Sequence, residues 1–325
     1  MGNFYKNKKI LITGADGFIG SHLVDEFNHR GNNVFALVNY NSWSSTGWLS
    51  DQAINSKLLE IKFGDIRDSF FINSIFKNDI DIIFHLSSLI DIPYSYIAPK
   101  SYLETNITGC LNILEASKNH SVEKIVHIST SEVYGTAQYA PIDELHPINP
   151  QSPYAASKVS ADYLAMSYKY SFNLPILIAR PFNTYGPRQT SRAIIPTVIS
   201  QLIRGNNLSL GNINPTRDFS YVFDTVSGLI EIGKLNNEYY GEIFNIGTGN
   251  DISIKQMIEL VACELSITPN INLDPSKVRP KDSEVMKLQA NSNKLQAASA
   301  WRPTVDIKTG LKYTINWIKD NIEFF

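Results

Sequence analysis

The chain has 325 residues, about twice a typical domain length, and its 43% apolar and 18% charged content excludes a disordered chain and a fibre. Lys plus Arg total 29 against 31 Asp plus Glu, a formal charge of -2 that argues against general nucleic-acid or anionic-membrane binding. The two cysteines, Cys110 and Cys263, form neither a metal-ligand spacing nor a disulfide framework, and no apolar run approaches the thickness of a bilayer. The expectation is a soluble cytoplasmic protein without a metal site or a membrane or nucleic-acid partner.

In chain order, Lys9–Ile12 reads as a buried strand, followed by a helix over Phe18–Arg30 that ends at Gly31. Val34–Val38, Leu59–Phe63 and Ile80–Leu86 are further strands, with a helical stretch at Asp68–Phe76. Tyr102–Asn119 reads as one helix, Lys124–Ile128 as a strand, Tyr154–Tyr170 as a helix and Pro175–Ala179 as a strand. This alternation predicts βαβ units and an α/β fold, a Rossmann-type doubly wound parallel sheet. After Pro181 the pattern loosens: Tyr221–Leu235 looks helical, Glu242–Ile246 like one more strand, and the tail from Ser253 like helix and loop. The expected division is a cofactor domain over 1–180 plus about 218–246, and a smaller C-terminal α/β substrate domain over 181–217 and 247–325.

Strand one runs into Thr13-Gly14-Ala15-Asp16-Gly17-Phe18-Ile19-Gly20, three glycines spaced three apart at the start of a helix. A tight turn and close backbone approach to a pyrophosphate both need Gly, and the helix N-terminus offers free N–H groups to phosphate. Strand two ends at Asn39, where an acid commonly takes the ribose hydroxyls; Asn can bond a hydroxyl but repels no phosphate. No Arg or Lys lies between Gly31 and Lys57 to welcome one, so NAD is expected, with NADP left open. Asp65, after the next strand, is placed either at the adenine amine or as an ordinary turn residue.

Tyr154 and Lys158 are four apart, on one helix face. An ammonium beside a phenol favours phenolate and makes Tyr a base near neutral pH. Upstream lies Ser129-Thr130-Ser131-Glu132-Val133-Tyr134-Gly135, directly after a strand.

The glycine turn, Asp65, the Ser129–Gly135 segment, Tyr154/Lys158 and Arg180-Pro181-Phe182-Asn183-Thr184-Tyr185-Gly186-Pro187-Arg188 together resemble the extended short-chain dehydrogenase/reductase family, the nucleotide-sugar epimerases and dehydratases. The resemblance covers essentially the whole chain. It implies cofactor contacts from Gly14, Asp16, Gly17, Phe18, Ile19, Gly20, Asn39, Asp65, Ile66, Leu86, Ser87, Ser129, Tyr154, Lys158 and Pro181. It implies catalytic roles for Thr130, Ser131, Glu132, Tyr154 and Lys158. For the substrate it implies Asn183 at the sugar-phosphate and Arg217 and Arg279 at the diphosphate, with Arg188 and Arg192 weaker candidates. It also implies a homodimer through the Tyr102–Asn119 and Tyr154–Tyr170 helices.

Glu132 separates the reactions of that family. A 4-epimerase moves hydride at C4 and needs no carboxylate beside the sugar; a 4,6-dehydratase must also take the C5 proton and expel the C6 hydroxyl. Thr130-Ser131-Glu132 resembles the GDP-mannose type of dehydratase, whereas the dTDP-glucose type has Asp in place of Ser131. Decarboxylases can also carry Ser-Glu here. Tyr40-Asn41-Ser42, Gly47-Trp48-Leu49, Ile92–Tyr96 and Arg192–Pro196 look like the N-acetylglucosamine-nucleotide 4,6-dehydratases of legionaminic-acid-type pathways, which points to GDP- or UDP-N-acetylglucosamine. Trp43 and Trp48 are expected to pack a loop over the cofactor. The 4-epimerase and then the uronic-acid decarboxylase stand as alternatives.

Overall fold

The computed structural model describes residues 4–325. Strand β1 (Lys9–Thr13), helix α1 (Phe18–His29), β2 (Asn33–Asn39), the short α2 (Asp51–Ile54), β3 (Leu59–Gly64), α3 (Ser69–Phe76) and β4 (Ile82–His85) open the chain. Then come α4 (Ile92–Ile97), α5 (Pro99–Tyr102), a π-helical turn at Leu103–Thr108, α6 (Gly109–Lys118), β5 (Lys124–Ile128), α7 (Pro153–Phe172) and β6 (Ile176–Pro181). The remainder holds β7 (Asn183–Tyr185), α8 (Ile194–Arg204), β8 (Asn207–Leu210), β9 (Thr216–Tyr221), α9 (Val222–Lys234) and β10 (Ile243–Ile246). It ends with β11 (Asp251–Ser253), α10 (Ile254–Leu265), β12 (Asn270–Leu273), β13 (Lys287–Leu288), α11 (Asn293–Ala298) and α12 (Ile307–Asp320).

Seven strands form one parallel sheet in the order β10-β6-β5-β4-β1-β2-β3, the doubly wound Rossmann arrangement expected from the alternation. Helices cover both faces, so its central strands are apolar without alternation: Ile10, Leu11 and Ile12 of β1 and Ile82, Ile83 and Phe84 of β4 are all buried. Ile10 and Ile12 pack with Leu23, Val24 and Phe27 of α1, while Leu11 and Ile83 pack with Ile113 and Leu114 of α6 on the other face. Truncating any of these to Ala would cost roughly 2–5 kcal/mol. The chain order reverses between β1 and β4, and the carboxyl ends there are where ligands of such sheets bind.

The expected strands are present with shifted ends: Ile80–Leu86 shortens to β4, and Pro175–Ala179 becomes β6, which closes at Pro181, opposite Ile246. The single helix expected over Tyr102–Asn119 is instead broken by the π-helical turn. Within it Asn106 is buried and trades hydrogen bonds with Leu89 in both directions (2.8 and 3.0 Å) and donates to Ser157 Oγ at 2.9 Å. These three bonds tie the turn to the loop after β4 and to α7, and a one-residue widening of the helix accommodates them. The tail read as helix and loop from Ser253 also holds two short strands, β12 and β13, and begins at the last residue of a third, β11. β9 pairs with β11, β13 and β7 in a small second sheet, so residues 218–221 lie there while α9 and β10 return to the large one.

Candidate active site

A cleft of about 1480 Å³ runs along the carboxyl ends of the sheet. That exceeds a typical small-ligand pocket of about 300–1,000 Å³ and suits two ligands side by side. Its wall includes every site residue expected from the sequence except Lys158, which is buried beneath it.

One end is built from backbone. Gly14, at a φ of +66°, turns the chain out of β1; a Cβ there would lie 3.0 Å from the Ser87 nitrogen, so the turn and the end of β4 touch. A Cβ on Gly20 would lie 2.0 Å from the Gly14 oxygen, which only glycine avoids. α1 begins after Gly17 with no side-chain cap, leaving its first N–H groups facing the cleft. This uncapped terminus behind a turn with no room for side chains fits the diphosphate of a dinucleotide. Thr13 Oγ1 braces the neighbouring wall by accepting from Leu86 N (3.1 Å) and Ser87 N (3.0 Å). Asn39 is exposed at the end of β2. The Asp65 carboxylate is gripped by Arg67 (Nη2 to Oδ2, 2.6 Å), whose guanidinium holds it below the usual carboxylate range. Of the two loop tryptophans, Trp48 packs edge-on against Trp317 and Phe324, while Trp43 is 89% exposed and packs on nothing, contrary to expectation. Its tip position in a loop held by Asn41 turn bonds leaves it no apolar neighbour.

The middle of the cleft is formed where β5 ends. Thr130 starts a single 3-10 turn, Ser131–Tyr134, and its Oγ1 accepts from Glu132 N at 3.2 Å. That turn sets Ser131 and Glu132 on the wall of the cleft that Tyr154, near the start of α7, also lines. Ser152 caps α7 by accepting from Ala155 N, with Pro153 at its first position. Burial pushes the Tyr154 phenol well above the usual tyrosine range; a hydrogen bond with Thr130 pulls the other way, and Glu132 adds to the rise. Lys158 lies on the same face, but its ammonium donates to Ile128 O at 2.7 Å instead of to the phenol. The four-residue spacing thus delivers a shared helix face and a nearby charge, not a hydrogen bond.

Beneath the site lies a buried network that the sequence reading did not include. Asp162, one turn beyond Lys158, accepts from Ser129 Oγ (2.8 Å) and Arg180 Nη2 (2.9 Å), and its other oxygen is 3.3 Å from His127 Nε2. Burial alone would raise Asp162, yet His127, Arg180 and Lys158 together hold it below its ordinary value. Arg180 also lies over the Tyr134 ring at 4.9 Å. The Tyr-x-x-x-Lys-x-x-x-Asp spacing was the available signal. His85, Cys110 and His127 bring potential metal ligands within 4.8 Å of one another in the core, a cluster that cysteine spacing did not reveal. Here His85 Nδ1 is 2.9 Å from Thr13 Oγ1 and the Cys110 thiol is pushed up to about 12 by burial.

The far end carries the charged side chains. Arg217 is buried, donates to Thr216 O at 2.9 Å, and stands 3.8 Å from Glu284 Oε1; Arg279 stands 3.9 Å from the same oxygen. The Arg279 Nη1 and the Asn183 Oδ1 are buried without a hydrogen-bond partner. Arg192, largely exposed, reaches Asp91 at 3.4 Å across the cleft mouth, and Arg188 is bound to Asp25 of α1 at 2.7 Å. Two guanidiniums and an unsatisfied amide facing one cleft suit a diphosphate and the sugar it carries.

A family model described as GDP-mannose 4,6 dehydratase matches residues 11–314 of this chain. The dTDP-D-glucose 4,6-dehydratase of Homo sapiens is 31% identical over 322 residues, which cover 97% of this chain and 91% of that protein. The structure of dTDP-glucose 4,6-dehydratase from Bacillus anthracis in complex with NAD matches at a TM-score of 0.87 with 26% identity, covering 98% of both chains. That of UDP-glucuronic acid 4-epimerase from Bacillus cereus, in complex with UDP-glucuronic acid and NAD, matches at 0.88 with 27% identity, covering 96% of this chain and 99% of the other.

Proposed function

The chain belongs to the GDP-mannose 4,6 dehydratase family of NAD-dependent nucleotide-sugar dehydratases and epimerases, and from that premise we propose that it is a nucleotide-sugar 4,6-dehydratase. The observation that carries this reading is Glu132. Glu132 is 9% exposed on the wall of the cleft that Tyr154 also lines, near enough to act on its phenol, and no hydrogen bond from the described residues occupies its carboxylate. An epimerase has no work for such a group; a dehydratase does.

NAD, held along the glycine turn, would supply a reversible two-electron acceptor. The chain supplies the proton chemistry. Tyr154 takes the proton of the C4 hydroxyl, with the Lys158 ammonium below it favouring phenolate. Thr130 bonds and orients the C4 oxygen. Once C4 is a ketone the C5 proton is acidic; Glu132 removes it and delivers a proton to the departing C6 hydroxyl, with Ser131 beside it. Loss of water leaves a C5=C6 double bond; the hydride removed from C4, which bound NAD would return to C6, together with a proton to C5, would give the 4-keto-6-deoxy sugar with no net redox change. Arg217, Arg279 and Asn183 hold the diphosphate and sugar-phosphate, and the substrate favoured by the subgroup resemblance is GDP- or UDP-N-acetylglucosamine.

The test is mass spectrometry of products from GDP-, UDP- and dTDP-linked glucose and N-acetylglucosamine, with wild type and Glu132→Gln. Loss of one water by wild type and not by the variant supports the dehydratase. The second reading, a 4-epimerase, is favoured by the likeness to the Bacillus cereus enzyme; unchanged mass with inverted C4 would establish it.

We read residues 1–180 with 218–246 as the cofactor part and 181–217 with 247–325 as the substrate part of a cytoplasmic homodimer. Exposed Leu103 in the π-helical turn, with Tyr163 and Tyr170 on α7, supports pairing of these helices with a second copy. Among the described residues no helix is long and apolar enough to cross a membrane.

A further inference from the structure

The strand-end residue that commonly distinguishes NAD from NADP is Asn39 here, and it carries no charge. The structure brings a carboxylate to the same place from another direction. Ala15 N donates to Leu37 O at 3.1 Å, so the glycine turn stays laced to β2 beyond the Thr13–Leu37 pair. Asp16, the next residue, therefore lies level with the end of β2, and the Asn39 N–H there favours the charged form of its carboxyl. The loop after β2 closes over it: Trp48 N donates to Asp16 O at 3.0 Å. Gly47, at a φ of +58°, packs so closely that a Cβ would lie 2.8 Å from the Asp16 Cβ and 2.5 Å from its backbone oxygen. Asp16 is thus half-buried, fixed by three chain segments, and on the cleft wall beside Asn39, Gly47 and Trp48. Arg67, a cation of the same wall, is bound to Asp65 at 2.6 Å and lies 3.7 Å from Glu104.

We propose that Asp16, in the glycine turn, is the residue that selects NAD over NADP, its carboxylate accepting from the adenosine ribose hydroxyls and repelling a 2′-phosphate. The inference rests on the reading of this end of the cleft as a dinucleotide site. The backbone and Cβ of Asp16 are held on both sides, so a 2′-phosphate at the end of β2 would meet its anion. Burial raises the Asp16 carboxyl from its ordinary value, while the N–H groups of Asp16 and Asn39 favour the charged form.

The test measures binding of NAD and of NADP, without sugar nucleotide, by calorimetry and by quenching of tryptophan fluorescence. Wild type is expected to prefer NAD at least about 100-fold, an interaction-sized difference. Asp16→Asn keeps the shape and a side-chain oxygen but removes the charge. It is expected to bind NADP about 10- to 100-fold more tightly than wild type does, and NAD no more than about tenfold more weakly. Asp16→Ser, read beside its thermal unfolding, guards against a variant that merely misfolds. An unchanged NAD/NADP ratio in folded Asp16→Asn or Asp16→Ser overturns the inference, as does a wild type without preference. A wild type that binds neither cofactor would instead overturn the dinucleotide reading on which it rests.

Discussion

The two ends of the cleft are built by different means. At the cofactor end, ordered contacts come from backbone: the Gly14–Gly20 turn, the uncapped start of α1, and Leu86 and Ser87 held on Thr13 within 3.1 Å. At the substrate end the same job falls to long side chains, and their contacts are loose. Arg217 and Arg279 stand 3.8 and 3.9 Å from one glutamate oxygen, and Asn183 Oδ1 and Arg279 Nη1 have no partner. A buried polar group without a partner costs about 1–3 kcal/mol, which a ligand supplying that partner recovers. The comparison teaches that the cofactor end is assembled by folding, whereas the substrate end is completed by what binds there.

Tyr154 sits on the seam, and Tyr154→Phe has the largest expected effect. Removing the ionisable oxygen should lower kcat about a thousandfold while NAD content stays unchanged, since general acid–base catalysis is worth about 10²–10⁴. Single-turnover kinetics with the co-purified cofactor assayed alongside would show this; lost cofactor would break the separation of the two ends.

Away from the cleft, the packing of α1 on the Gly186–Arg188 segment is expected to be acid-sensitive. His22 of α1 is 3.0 Å from Pro187 O, beside Arg188 and Asp25, and burial lowers its pKa from 6.5 to about 4. A histidine whose folded pKa is lowered contributes stability that is present above about 6.5 and is lost as pH falls towards 4, because the unfolded chain takes the proton first. The loss should reach roughly 3 kcal/mol at the low end. Urea unfolding at pH 7 and pH 4.5 should show a smaller drop for His22→Gln than for wild type.

Arg217→Met sharpens the comparison from the substrate side. It should raise KM about tenfold or more, the roughly 1.5–3 kcal/mol of a hydrogen bond to a charged group, and leave NAD binding within twofold. Glu284→Gln should do least. It frees both arginines from a competing carboxylate, so KM should fall by no more than about threefold, in keeping with the 0–1 kcal/mol of loose ion pairs. A rise in KM would mean that Glu284 itself contacts the substrate.

Much of this was legible in the sequence where the physics is local. Strand runs buried on both faces carry apolar residues without alternation, Ile10–Ile12 in β1, Ile82–Phe84 in β4 and Ile125–Val126 in β5, so these strands could be read directly. Gly14, Gly17 and Gly20 are demanded by a turn with no room for a Cβ, and Tyr154 and Lys158 share a face because helices repeat at that spacing. The break in the helix at Leu103–Thr108 was not legible, because its cause is Asn106 reaching Leu89 and Ser157, residues distant in the chain. The same holds for Asp162: its four-residue step from Lys158 is visible, but its three partners arrive from β5 and β6.

The sequence by itself determined the parallel sheet, the glycine turn and the helix face that Tyr154 and Lys158 share, because backbone geometry and hydrophobic periodicity act over a few residues. Only the tertiary structure decided which carboxylate stands at the end of β2, which cations face each other across Glu284, and where the Lys158 charge is held. Those depend on segments about 20 to 70 residues apart in the chain meeting in space, and no local preference encodes such a meeting.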